Sequence, residues 1–210
     1  MTSRTFPHLS VASVFVLLVA AVVLALPARA QLGVAAGLNF ESVDDIETSS
    51  ANATFDNATG YHVGVFYDLG LGPAGLRLGL FYRDIGEVDV SFGGISDAFS
   101  ATMIDIPVDV RFNLTATPVI RPYVMAGPVF SWASTDDSDY EDALNDVSVA
   151  GNVGIGLALD LGGIKLTPEF RYAVGISRFM KEEVNIRGVS FSSGDVQRLN
   201  TVMLRVGVSF

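Results

Sequence analysis

The most regularly spaced reactive side chains of this sequence are charged residues that alternate with apolar ones. Within residues 164–176, Lys165, Glu169 and Arg171 stand between apolar residues, and residues 104–113 repeat the pattern. Successive side chains of a strand point to opposite faces, so each stretch predicts a strand with one apolar and one charged face. Arginine and carboxylate side chains on one face can form hydrogen-bonded pairs. The charged positions of this phase are Arg77, Arg83, Asp105, Asp109, Arg111, Arg121, Lys165, Glu169, Arg171 and Arg205.

Acid–base or nucleophilic catalysis has few candidate residues in this chain. There is no Cys, and His62 is the only histidine after the first thirty residues. In the alternation of residues 61–65, His62 falls on the same face as the charged residues. A histidine bonded to a neighbouring side chain explains that position without a catalytic role, because a general base needs further acid–base groups around it. We therefore predict no catalytic residue.

An acidic cluster between two predicted strands is the one candidate for cation binding. Carboxylates at this density could bind Ca²⁺. Counted from Asp136, however, the sequence lacks the Gly at the sixth position and the Glu at the twelfth that an EF-hand loop requires. A solvated loop is the favoured interpretation, and neither a metal centre nor a cofactor is predicted. The cluster consists of Asp136, Asp137, Asp139, Glu141 and Asp142.

Composition limits the class of protein. The chain has 210 residues, of which 50% are hydrophobic and 17% charged, and this excludes a disordered protein. Its 21 glycines among many Val, Leu and Phe residues favour β-structure in a single domain. The formal net charge of −10 argues against a nucleic-acid partner, which would require basic patches.

The first thirty residues have the pattern of a secretory signal peptide. Arg4 precedes an apolar run over residues 11–26, and Ala28 and Ala30 form a small-residue cleavage site. We expect residues 1–30 to be removed, which leaves a mature domain over 31–210. A single membrane-anchoring helix is the alternative, although the run is slightly short for one.

Eight segments with a period of two follow. Their connections alternate between short ones and long polar ones, the latter around residues 41–59, 85–100, 133–146 and 177–198. In an up-and-down barrel, alternate connections lie at opposite ends, so the long ones would share one end and both termini the other. The predicted strands span residues 32–40, 60–69, 75–84, 101–113, 119–132, 147–160, 164–176 and 199–210.

The second face of these strands decides which side is outside. It carries charges of both signs together with many Gly and Ala residues, which suit a narrow interior better than a solvated surface. The apolar face would then contact lipid, and its aromatic residues near strand ends, such as Tyr61 and Trp132, would lie at the membrane interfaces. The fold predicted is a closed, antiparallel, eight-stranded transmembrane β-barrel. A soluble barrel with reversed faces and a hydrophobic ligand is the alternative.

The last strand carries a resemblance to a known family. Leu204, Val206, Val208 and Phe210 alternate on one face and end on an aromatic residue, which resembles the assembly signal of bacterial outer-membrane proteins. Residues 121–128 also resemble the fifth-strand region of the outer-membrane β-barrel domain family, the porin-like small barrels often called OmpX- or OmpA-like. The resemblance implies secretion, insertion by the outer-membrane assembly machinery, and both termini in the periplasm.

This family implies no single activity, because its members differ in their loops. We expect a non-enzymatic monomer that contacts outer-membrane lipid and lipopolysaccharide, with a structural or surface-interaction role for its four long connections. A narrow porin-like channel and an outer-membrane lipid-modifying enzyme remain the alternatives. The first would conduct ions, and the second would depend on His62.

Overall fold

In a computed structural model, the described residues form eight long antiparallel strands and four short ones. The structure describes residues 29–43, 46–47, 52–55, 58–92, 95–114, 119–135, 147–177, 183–186, 189–192 and 198–210. The predicted signal peptide over residues 1–30 lies outside these ranges except for its last two residues, which begin the first strand. The strands are β1 (Arg29–Val43), β2 (Ala58–Leu71), β3 (Ala74–Phe92), β4 (Ile95–Asn113), β5 (Ile120–Ser134), β6 (Val147–Asp160), β7 (Lys165–Gly175) and β8 (Leu199–Ser209).

The strands close into a barrel. Each strand pairs with its neighbour in sequence, and β8 pairs with β1 from Gly33 opposite Ser209 to Val43 opposite Leu199. Beyond β8, the Phe210 N–H donates to the Leu32 carbonyl over 3.2 Å. Closure leaves no open sheet edge around the wall, and the prediction of a closed eight-stranded barrel is confirmed.

Burial alternates along much of the barrel wall, most regularly in β1, β2, β7 and β8. In β1, Leu38 and Phe40 are 51% and 40% exposed, whereas the intervening Asn39 and the following Glu41 are 0% and 1% exposed. Large apolar side chains thus cover the outside, and polar side chains fill the inside. An apolar surface of this extent is stable against lipid rather than water, and a closed barrel satisfies the backbone within lipid. The described ranges contain no helix of the length and hydrophobicity needed to cross a membrane.

Short connections and the start of β1 share one end of the barrel, here called the turn end. After β2, Leu71 pairs with Ala74, so Gly72 and Pro73 alone make the turn. Gly72 has a φ of 75°, a left-handed conformation that glycine adopts without the steric cost of a side chain. Between β6 and β7, Asp160 pairs with Lys165 across a four-residue connection. The opposite end, with the connections after β1, β3, β5 and β7, is here called the loop end.

At the loop end, one expectation is wrong. Residues 85–100 were expected to form a long polar loop, but β3 and β4 continue pairing until Phe92 lies opposite Ile95. A bulge between Asp84 and Glu87 precedes this extension, and Gly86 within it has a φ of 79°. The signal was present in the sequence, because Val88, Val90 and Phe92 continue the period of two beyond the glycine.

Two other long connections also contain strand pairing. Within residues 41–59, the segment Asn52–Phe55 pairs with β3 and with Ile46–Glu47. Within residues 177–198, Glu183–Ile186 pairs with Val189–Ser192. The loop end is therefore an extension of the sheet as well as a set of connections.

The two faces of β1 allow the inside to be distinguished from the outside by mutation. A Cβ added at Gly37 would lie 2.0 Å from the Leu204 carbonyl oxygen and 2.7 Å from His62 Nε2, whereas the neighbouring Ala36 is exposed on the outside. We expect Gly37→Val to lower the free energy of unfolding by about 1–3 kcal/mol through overpacking. Urea unfolding in phospholipid vesicles, followed by the fluorescence of Trp132, measures the change.

Ala36→Val is the matched control, because it adds a β-branched side chain to the adjacent residue on the lipid-facing side. It should change the free energy of unfolding by no more than about 0.5 kcal/mol. Equal losses for the two variants would contradict the assignment of the two faces.

Candidate functional site

The interior of the barrel is the candidate site, because the described polar side chains converge there. The pairing of the strands brings together residues that are far apart in sequence, and they group into three clusters along the barrel axis. Each cluster is centred on one arginine, namely Arg77 nearest the turn end, Arg171 in the middle and Arg83 nearest the loop end. All three are at most 4% exposed.

The Arg77 cluster is built from β2, β3, β4, β5 and β7. Arg77 donates to both carboxylate oxygens of Asp68, over 2.6 and 2.7 Å, and also forms an ion pair with Glu169. Arg111 Nη1 donates to Asp68 over 2.9 Å, and the Tyr123 hydroxyl donates to Glu169 over 2.7 Å. The Arg111 guanidinium lies 4.4 Å from the centre of the Tyr123 ring. Two carboxylates thus balance two arginines in this cluster through charge-assisted hydrogen bonds.

The Arg171 cluster lies next to it. Arg171 forms an ion pair with Asp109 on β4, and its Nε donates to Asn152 Oδ1 over 3.3 Å. The Asn152 amide also donates to Asp109 over 2.6 Å. Arg171 Nη1 lies 3.5 Å from Glu169 Oε2, which connects this cluster to the previous one. Side chains from both walls therefore meet across the middle of the barrel.

The Arg83 cluster connects β3 to the seam between β1 and β8. Arg83 lies 2.7 Å from both Glu41 and Asp105 in two ion pairs. Thr201, opposite Glu41 in the β1–β8 register, donates its hydroxyl to Glu41 over 2.6 Å, and Asn39 Nδ2 donates to Glu41 over 2.9 Å. One arginine thereby holds two carboxylates and braces the strands that close the barrel.

Arg205 has a different environment. Among the described residues no carboxylate lies within 4.0 Å of it. Its guanidinium lies 3.8 Å from the centre of the Phe81 ring, and its Nε donates to His62 Nε2 over 3.0 Å. His62 Nδ1 lies 3.3 Å from Asn39 Oδ1 and donates to it, since Nε2 accepts from Arg205. Both ring nitrogens of His62 are therefore engaged.

A cavity of about 430 Å³ opens at the turn end. Arg121 Nη2 lies 3.3 Å from Asp160 Oδ2 at its rim, and the Lys165 amine donates to the side-chain oxygen of Gln31. Arg111 and Asp68 form its floor against the Arg77 cluster.

All ten charged residues singled out in the sequence lie on the inner face. Eight are buried, while Arg111 and Arg121 are half-buried. The structure brings together Arg77 with Glu169, Arg83 with Asp105, and Arg171 with Asp109. It brings neither Arg205 nor Lys165 to a carboxylate among the described residues, and Arg121 contacts Asp160 instead.

Several partners in these clusters were missed in the sequence. Glu41 and Asp68 complete the charge balance, and Tyr123 and Asn152 complete the hydrogen bonding. The alternation could have identified the carboxylates, because Glu41 follows Gly37 and Asn39 on one face of β1. Which arginine each carboxylate would contact depends on register across the barrel, and alternation does not specify that.

The described interior contains no cluster of side chains suited to binding a metal ion. No group of three or more His, Asp or Glu side chains in the described ranges could hold a metal ion. The acidic cluster Asp136, Asp137, Asp139, Glu141 and Asp142 lies outside those ranges. Large side chains fill the cross-section instead, since Arg77, Arg171, Tyr123, Phe66 and Phe81 are all at most 2% exposed.

The comparisons with known proteins agree with this architecture. Residues 13–210 match the family described as outer membrane protein beta-barrel domain. Neisserial surface protein A is similar in structure, with a TM-score of 0.53 and 13% identity over 86% of this chain and 95% of that one. OprG from Pseudomonas aeruginosa has a TM-score of 0.55 and 14% identity over 87% and 97%. No curated protein matches the sequence.

The contrast between Arg83 and Arg205 tests what the interior ion pairs contribute. Arg83→Met leaves Glu41 and Asp105 buried without their arginine, so it should lower the free energy of unfolding by about 3–5 kcal/mol. Arg205→Met removes an arginine of similar burial but deprives no described carboxylate of a partner. It should therefore lower the free energy of unfolding by clearly less than Arg83→Met does. Urea unfolding in vesicles measures both. Equal losses would contradict the contacts described for Arg205.

Proposed function

Because the chain belongs to the outer membrane protein beta-barrel domain family, we propose that this outer-membrane protein has a non-enzymatic structural or surface-interaction role. The observation that carries the proposal is the packed middle of the barrel, in which the three arginine clusters occupy the space that a continuous pore would need. The family places the protein in the bacterial outer membrane. The contacts that distinguish it from other small barrels would then be made at its ends.

The packed interior favours this role over that of a narrow channel. Eight strands enclose an interior just wide enough for side chains to fill it. Here Arg77, Glu169 and Tyr123 contact one another across the barrel, and Arg171 continues the contacts toward Asp109. An ion would have to break several of these pairs in order to pass. A porin-like channel is therefore the less favoured candidate function.

The surroundings of His62 favour a non-enzymatic role. It is 1% exposed and both of its ring nitrogens are engaged, one by a guanidinium. A general base needs a free nitrogen within reach of substrate, and lipid reaches only the outer face of the wall. An outer-membrane lipid-modifying activity finds no support in these contacts.

The proposed orientation puts the loop end outside the cell and the turn end, with both termini, in the periplasm. Short connections at the periplasmic end and longer ones outside are usual in outer-membrane barrels. The apolar outer face also carries Tyr61, Tyr82 and Trp132 close to the loop end, where an aromatic belt would meet the membrane interface. Removal of residues 1–30 as a signal peptide is part of this proposal.

For assembly, we propose that β8 is the segment that the outer-membrane assembly machinery recognises. Leu204 and Val206 are about half-exposed on the lipid-facing side, Val208 continues their phase, and Phe210 is 67% exposed beyond the last pairing. Once the barrel is inserted, the same face would contact outer-membrane lipid and, in the outer leaflet, lipopolysaccharide. The chain would act as a monomer, since its own closure leaves no strand edge in the wall to pair with a second copy.

Cysteine labelling tests the orientation, because the chain contains no Cys. Ser138→Cys introduces a thiol into the connection after β5, and Leu161→Cys introduces one into the turn after β6. With a membrane-impermeant maleimide on intact cells, only the first should react, whereas both should react once the outer membrane is permeabilised. Labelling of Leu161→Cys but not Ser138→Cys in intact cells would contradict the proposed orientation, and recovery of the protein as a soluble periplasmic species would contradict the function.

Substitution of Phe210 tests the assembly signal. Phe210→Ser should reduce the amount of folded, heat-modifiable protein in the outer membrane several-fold. Phe112→Ser is the control, since Phe112 is 50% exposed on the same face near the same end. The purified variants should both refold in detergent, because neither side chain packs in the interior. A similar reduction for both would contradict a specific role of the terminal residue.

A further inference from the structure

The cavity at the turn end has the composition of an anion site. We propose that it binds a small oxyanion with at least two negative charges, of the phosphate or polycarboxylate type. The site itself does not depend on the proposed orientation. If that orientation holds, the anion would come from the periplasm. The polar side chains that line the cavity are Gln31, Asp68, Arg111, Asn113, Arg121, Asp160 and Lys165.

The charges that line the cavity favour an anion. Three cations line this space, Arg111, Arg121 and Lys165, against the carboxylates of Asp68 and Asp160. Asp68 is shared between Arg77 and Arg111, and Asp160 contacts Arg121, so Lys165 is left without a carboxylate partner among the described residues. The site is therefore locally positive in a chain whose formal net charge is −10. Such a local reversal of charge concentrates anions from solution.

Hydrogen-bond donors without a described protein partner also favour an anion in this cavity. The Lys165 amine has three protons, and its partner in the structure is the neutral side-chain amide of Gln31. Arg121 makes one contact of 3.3 Å with Asp160, and its buried Nε has no protein partner among the described residues. Lys165 therefore keeps two ammonium protons for a ligand in the cavity, and Arg121 lines the same space with a guanidinium that is only partly paired.

The arrangement of the cations around the cavity and its volume suit a small anion. The cations come from three different strands, β4, β5 and β7, and so surround the space instead of forming a flat patch. The Arg111 guanidinium is fixed by its bond to Asp68 and by the Tyr123 ring, 4.4 Å away. A volume of about 430 Å³ is in the range of small-molecule sites. Planar guanidinium groups and an ammonium together match an oxyanion that accepts several hydrogen bonds.

Isothermal titration calorimetry of the full chain folded in detergent, at low ionic strength, tests the site with inorganic pyrophosphate and with citrate. We expect saturable binding at one site for at least one of them. Lys165→Gln and Arg121→Gln should each weaken it about tenfold or more, because each removes a charged hydrogen-bond donor. Arg198→Gln is the control, since Arg198 is an exposed arginine at the loop end. It should leave the affinity unchanged.

Two further comparisons keep the outcome interpretable. Heat-modifiable migration confirms that each variant is folded, which we expect because Lys165 contacts no described carboxylate and the Arg121 pair is partly exposed. Titration with a short-chain phosphatidic acid distinguishes a lipid headgroup from a free solute, and binding of that lipid alone would still support the site. Absence of saturable binding by all three probes, or equal weakening by Arg198→Gln, would overturn the proposal. The calorimetry uses purified protein, so its failure would leave the cell-surface labelling result unaffected.

Discussion

The interior ion pairs are the constraint on which the rest of this structure depends. With apolar side chains on the outside, the inside must hold the charges, and an isolated charge there would cost several kcal/mol. Each of the three central arginines meets this constraint with carboxylates from other strands, as Arg77 does with Asp68 and Glu169. Some of these contacts also connect strands that are not neighbours in the barrel, since Arg77 on β3 pairs with Glu169 on β7 and Arg171 on β7 pairs with Asp109 on β4.

The seam between β1 and β8 shows how these contacts support closure. Glu41 on β1 accepts hydrogen bonds from Thr201 on β8 and from Arg83 on β3, so one buried carboxylate joins the first and last strands to a third strand. His62 makes a second connection at the seam, between Asn39 on β1 and Arg205 on β8. Backbone pairing thus closes the barrel, and the side-chain contacts favour one register of β1 against β8.

The strands and their inward faces could be predicted from the sequence, because the barrel wall is encoded by a local alternation of residue types. A period of two identifies each strand and its inward face, which is why all ten charged residues were assigned to the inside. The pairing of charges was less accessible, since the contact between Arg77 and Glu169 joins residues 92 positions apart. Arg205 illustrates the limit, because alternation places it inside but does not reveal that its neighbours are His62 and Phe81. The extension of β3 to Phe92 was missed for a different reason, since the bulge at Gly86 interrupts the pattern before it resumes.

A filled interior leaves the two ends of the barrel for contact with other molecules, and this is the central claim of the account. Single-channel recording of the purified wild-type chain in planar lipid bilayers tests it most directly. We predict no reproducible conductance steps from the wild-type chain, whereas a variant with Arg77, Tyr123 and Glu169 all replaced by alanine, once folded, should conduct. Uniform, long-lived steps from the wild-type chain that change in size with Arg171→Gln would contradict it.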